Sequence, residues 1–115
     1  MDHAEFCELL RGPGALEEAI RRNDRLFVLF YAFWCPFSQA FLPEYLDHAE
    51  HGEPCYVRIL SEDMDAHVEK YHITVYPTVL YFEKGKVVRR LDGEHFRGLS
   101  RKSLEKFVGE CAVKK

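Results

Sequence analysis

Apolar residues recur along this chain with two spacings. Positions 26–32 are apolar throughout (Leu26, Phe27, Val28, Leu29, Phe30, Tyr31, Ala32), which predicts a strand buried on both faces. Residues 55–60 alternate, with Cys55, Val57 and Ile59 on one side, and predict a second strand. A third strand is expected over 78–82 and a fourth over about 87–91. Between those two, Phe82-Glu83-Lys84-Gly85-Lys86-Val87 reads as a hairpin, with Gly85 able to take the left-handed conformation of a tight turn.

Helical spacing fills the intervals. Leu16, Ala19 and Ile20 share one side of a helix over 15–22. Phe37, Ala40, Phe41, Tyr45, Leu46 and Ala49 predict a long helix from Cys35 to about Glu50, with Pro43 inside it as an expected kink. Ser61-Glu62-Asp63 offers capping oxygens to a short helix striped by Met64, Val68 and Tyr71. Ser100 caps a last helix to about Cys111, with Leu99 stapled onto Leu104, and Leu104, Phe107 and Val108 facing the core. Three stretches stay open or read as breaks. Residues 2–10 fit a helical face or a short strand equally, 11–14 and 51–54 are turns, and 92–98 is a loop or a bulged strand extension.

Crossover helices make the early strands parallel, and the hairpin adds antiparallel strands to the same sheet. The expected fold class is therefore α/β: a single mixed β-sheet with helices on both faces. At 115 residues the chain is expected to be one domain spanning 1–115, large enough to bury a core without metal or disulfide staples. A formal net charge of −3 with scattered Lys and Arg speaks against a nucleic-acid partner. No signal-peptide pattern or membrane-length apolar run is present, so no membrane partner is expected.

The cysteines, Cys7, Cys35, Cys55 and Cys111, have neither zinc-site nor disulfide-framework spacing. A reducing compartment, the cytoplasm, is the simpler reading. Cys7, Cys55 and Cys111 read as small buried hydrophobes, with a Cys7–Cys55 bridge as a minor alternative. His48, Glu50, His51 and Cys55 could be drawn as a metal site, but the segment falls at a helix end, where solvated histidines are the simpler account.

Cys35 differs from the rest. In Trp34-Cys35-Pro36-Phe37-Ser38 it stands where a buried strand turns into a helix, and the unpaired first-turn amides and partial positive charge there favour thiolate over thiol. Pro36 suits the first turn, since its N–H is not needed and its φ is already helical.

These residues resemble the thioredoxin family. Phe30-Tyr31-Ala32-Phe33-Trp34-Cys35 is similar to the FYAxWC signature of protein disulfide isomerase domains, Pro43 stands where thioredoxins have a helix-kinking proline, and Tyr76-Pro77-Thr78 matches the cis-proline tripeptide. The resemblance spans nearly the whole chain and implies a thioredoxin fold. It implies Cys35 as nucleophile with Trp34 beside it, a cis Pro77, and a client strand pairing with the backbone next to Tyr76. Trp34, Pro36, Phe37, Tyr76 and Pro77 are the expected substrate-binding residues.

Two departures bear on mechanism. Ser38 replaces the resolving cysteine, and Leu29 lies where the family has a buried acid that serves the resolving step. Arg58, near the family's lysine partner of that acid, is expected to turn towards solvent. The expected activity is monothiol thiol–disulfide exchange: Cys35 forms mixed disulfides with protein clients, and an external thiol such as glutathione resolves them. Ser38, counted with Cys35 as catalytic, could donate a hydrogen bond to the thiolate. No cofactor is expected, and the protein is expected to be a monomer. The alternative is a binding or retention module for clients. Iron–sulfur ligation, as in monothiol glutaredoxins with a similar CxxS, is a weaker third reading, since Trp34 favours the thioredoxin pattern. Tyr31, Phe33, Trp34, Phe37 and Tyr76 are candidates for an apolar rim around the thiol.

Overall fold

The computed structural model describes residues 7–12, 14–51, 55–61, 65–94 and 97–113. In chain order the elements are β1 (Cys7–Leu9), α1 (Ala15–Arg22), β2 (Arg25–Tyr31), α2 (Pro36–His51), β3 (Cys55–Leu60), α3 (Asp65–Lys70), β4 (Thr78–Glu83), β5 (Lys86–Asp92) and α4 (Arg101–Val113). The strands form one sheet in the order β1-β3-β2-β4-β5. β3 runs parallel to β1 and β2, while β4 is antiparallel to both β2 and β5. The hairpin therefore contributes one interior strand, β4, and one edge strand, β5.

The apolar run in β2 explains its central place. Successive side chains of a strand point to opposite faces, so Phe27, Leu29 and Tyr31 join α2 and α4 in one core, while Leu26, Val28 and Phe30 join α1 in the other. The first core holds Phe41 and Tyr45 from α2 with Leu104 and Phe107 from α4. The second holds Leu16 and Ala19 from α1, with Val68 and Tyr71 packed on it. Met64 and Pro13, and the turn at 52–54, lie outside the described residues.

Local chemistry sets the boundaries. Ser100 Oγ accepts from Ser103 N–H at 3.2 Å, and Ser103 Oγ accepts from Ser100 N–H at 2.9 Å, a reciprocal cap that starts α4. The β4–β5 turn needs positive φ at both central residues, Lys84 (51°) and Gly85 (86°). Of the stretch after β5, residues 93–94 and 97–98 are described. Glu94 and Gly98 form an isolated antiparallel bridge, closed by Glu94 N–H to Gly98 O (3.0 Å) and Gly98 N–H to Glu94 O (2.8 Å). Helix α2 runs through Pro43.

Candidate functional site

The corner between β2 and α2 is tied by short-range bonds within and beside the motif. Ala32 O accepts from Cys35 N–H (3.1 Å), Ala32 N–H donates to Ser38 Oγ (3.1 Å), and Phe33 O accepts from Gln39 Nε2 (2.8 Å). Gln39 N–H donates to Cys35 O at 3.0 Å, the first helical bond, so Cys35 is the N-cap residue of α2 and Pro36 its first helical residue. Phe33 and Trp34 project from the turn, 69% and 61% exposed.

Cys35 itself is only 7% exposed. Its Sγ lies 4.0 Å from the carbonyl oxygen of Tyr76, a long sulfur–oxygen contact. The Tyr76–Pro77 bond is cis, and Tyr76 meets Trp34 edge to face at 6.2 Å between ring centroids. Gly93 and Gly98 lie close against the cis-proline turn and the first turn of α2. A Cβ built on Gly93 would come 2.6 Å from Pro77 O, and one built on Gly98 would come 2.6 Å from Phe37 Cβ. Glycine at 93 and 98 thus lets this segment lie directly on the cis-proline and on the first turn of α2. The sequence reading missed both contacts; the Gly93…Gly98 spacing within the ambiguous stretch was the available signal.

The candidate residues divide accordingly. Trp34, Cys35, Phe37, Tyr76 and Pro77 come together at the corner, and Pro36 is exposed beside them. The apolar rim consists of Phe33 and Trp34 with half-buried Phe37 and Tyr76, whereas Tyr31 is buried in the core. Ser38 is buried, and its one hydrogen bond among the described residues joins it to the Ala32 amide and not to Cys35.

Leu29 is buried and in register with Arg58 on β3. Arg58 does not turn to solvent as expected. Its Nε donates to Cys7 O (3.2 Å) and its Nη1 to the Tyr31 hydroxyl (2.9 Å), because both acceptors lie within reach on neighbouring strands.

All four cysteines are free. Cys7 and Cys111 are buried, but Cys55 is exposed because it opens β3 at the sheet end, a correction to its reading as a buried hydrophobe. Cys7 is in register with Tyr56, so Cys55, the next residue along, faces the opposite side, and the minor alternative of a Cys7–Cys55 bridge is not met. Burial pushes the Cys7 thiol up to about 12 and the Cys111 thiol up to about 11, with Arg58 and Arg89 respectively pulling back. Partial burial also raises Cys55, followed by an opposing pull from Arg22. Among the described residues no group of three or more His, Cys, Asp or Glu could hold a metal ion. No helix among them is long and apolar enough to cross a membrane.

A family model described as Thioredoxin matches residues 12–110. The chain belongs to the thioredoxin family. It is 30% identical over 82 residues to Protein disulfide-isomerase 1 of Caenorhabditis elegans, covering 67% of this chain and 17% of that protein. It is 32% identical over 99 residues to Glutaredoxin-3 of Bos taurus, covering 85% of this chain and 27% of that protein. The chain therefore spans 17% and 27% of the length of these two curated relatives. In fold it is similar to the reduced thioredoxin pre-protein of Schistosoma mansoni, with a TM-score of 0.78 at 22% identity over 89% of this chain and 94% of that one. It is likewise similar to oxidised thioredoxin from Plasmodium falciparum, with a TM-score of 0.79 at 19% identity over 93% of this chain and 99% of that one. This thioredoxin-family chain is thus related in sequence to glutaredoxins and protein disulfide isomerases.

Proposed function

We propose that this chain is a monothiol thiol–disulfide exchange protein, acting as a single domain and a monomer. The observation that carries the reading is the pairing of Cys35, at the N-cap of α2 beneath an exposed aromatic rim, with a buried serine at the position three residues on. The Cys35 thiolate attacks one sulfur of a client disulfide. An S–S bond forms between Cys35 and that sulfur, and the second client sulfur leaves as a thiolate. Ser38 cannot carry out the next attack. A thiolate from outside the motif, from glutathione or from the client itself, attacks the client sulfur of the mixed disulfide and releases Cys35. With a client thiol the outcome is isomerisation without net redox; with glutathione, the client carries the glutathionyl group away. Ser38 serves this scheme as a positioning residue, holding the first turn of α2 on the end of β2. Trp34, Tyr76 and the Pro77 backbone contact the client, and Pro36 and Phe37 border it. The free thiols fit a reducing compartment such as the cytoplasm.

The second reading, a retention module, draws on the low exposure of Cys35 and the high exposure of Phe33 and Trp34, which suit tight holding of an apolar client. One experiment separates the two. The purified chain is incubated with a disulfide-bearing client, adducts are resolved without reductant, and glutathione is added. Exchange predicts a Cys35-dependent adduct that glutathione clears. Adducts that persist in glutathione favour retention, and adducts that form equally in Cys35→Ser overturn both.

A further inference from the structure

Beside the motif turn, on the sheet face covered by α2, lies a cavity of about 420 Å³ walled chiefly by Leu9, Tyr31, Phe33, Leu42, Leu60 and Arg58. Its walls are mainly apolar; Gln39 and the Tyr31 hydroxyl add polar groups, and Arg58 is the one charged residue among the described residues lining it. The guanidinium is held in place by neutral acceptors alone, the Cys7 carbonyl through Nε and the Tyr31 hydroxyl through Nη1. Its register partners on the neighbouring strands are Leu9 and Leu29, both aliphatic. Among the described residues no carboxylate pairs with it, and Nη2 makes no hydrogen bond.

A half-buried cation in apolar surroundings without a counter-charge is electrostatically incomplete, and the guanidinium fork matches a carboxylate in shape as well as charge. The cavity falls within the size range of small-molecule pockets. We propose that it binds a small organic monocarboxylate, with the carboxylate on Arg58 and an aliphatic or aromatic body against Leu9, Phe33, Leu42 and Leu60. The site is distinct from the Cys35 thiol and does not depend on the exchange reading.

The test is a titration of the whole chain with octanoate, followed by methyl and aromatic NMR. Saturable shifts are expected at Leu9, Phe33, Leu42 and Leu60, with a dissociation constant on the order of 1 mM for a ligand of this size. Octan-1-ol, which lacks the charge, and acetate, which lacks the body, should each bind at least about tenfold more weakly. Arg58→Gln should weaken octanoate about tenfold or more while leaving octan-1-ol unaffected. Because Arg58 also bonds two strands, Leu60→Glu is the companion variant. It keeps Arg58, adds a competing carboxylate at a half-buried wall position, and should weaken octanoate to a similar degree. Equal binding of octanoate and octan-1-ol, undiminished octanoate affinity in either folded variant, shifts confined to residues outside the cavity, or no saturable shift would each overturn the proposal.

Discussion

At the scale of single residues, the thiols are distinguished by burial. Cys7 and Cys111 sit in the core between the sheet and helices α2 and α4, where a thiolate would be stripped of water. Cys35, although only 7% exposed, stands at the N-cap of α2 beside the unpaired first-turn amides, so alkylation of the native chain at neutral pH should modify it first. Exposed Cys55, its thiol raised by partial burial, should follow more slowly with a rate that climbs as pH rises, and Cys7 and Cys111 should react only after unfolding. Peptide mapping of a timed alkylation checks the order; labelling of Cys111 in the folded chain would contradict it. The same shifts make stability depend on alkaline pH. Both buried thiols have folded values above the ordinary thiol value of 9.0, so above that pH the unfolded chain loses protons that the folded chain keeps. The stabilisation is fully present below pH 9.0 and is lost as pH rises towards about 11 for Cys111 and about 12 for Cys7. Denaturation midpoints should fall over that window, and Cys7→Ala should flatten the fall relative to its own value at neutral pH.

At the scale of elements, legibility in the sequence followed how strongly a segment's own pattern constrained it. Strand β2 reads directly because an unbroken apolar run suits only a strand with a core on each side, and α1 reads directly because Leu16, Ala19 and Ile20 mark one face. Strand β1, three residues long, is too short for a period to emerge, and only pairing with β3 defines it. The exposure of Cys55, the anchoring of Arg58 and the bond from Ala32 to Ser38 depend on register between strands and on the turn's closure, which no spacing along the chain encodes. The thiol corner was legible as a strand end meeting a helix start, but the approach of Gly93 and Gly98 to it was not, because that approach rests on backbone passing too close for a side chain.

Glycine substitutions test this directly. Gly98 has φ of 69°, and an added Cβ would press on Phe37, so Gly98→Ala should destabilise the chain by about 1–3 kcal/mol. Gly109, exposed in α4 with open space around it, should respond with the opposite sign, Gly109→Ala stabilising by about 0.5–1 kcal/mol. Urea denaturation of the two variants reads both signs; a neutral Gly98→Ala would mean the segment does not lie on the first turn of α2.

At the scale of the whole molecule, one sheet with a core on each face leaves the β2–α2 corner at the end of its central strand, where Cys35 faces the cis-proline turn and Gly93 and Gly98 lie on Pro77 and Phe37. Edge strand β5 carries exposed Lys86, Arg89 and Arg90, charges that discourage pairing with another sheet. The central claim is that the corner holds one working thiol and no resolving partner. Intact-mass measurement after mixing the reduced chain with glutathione disulfide tests it most directly. One glutathione adduct on Cys35 is expected, persisting until an external thiol is added. In Ser38→Cys, where the new thiol lies within the first turn of α2, the adduct should resolve itself, releasing glutathione and leaving an internal disulfide. Spontaneous release of glutathione from the unaltered chain, with an internal disulfide forming through Cys7, Cys55 or Cys111, would contradict the account.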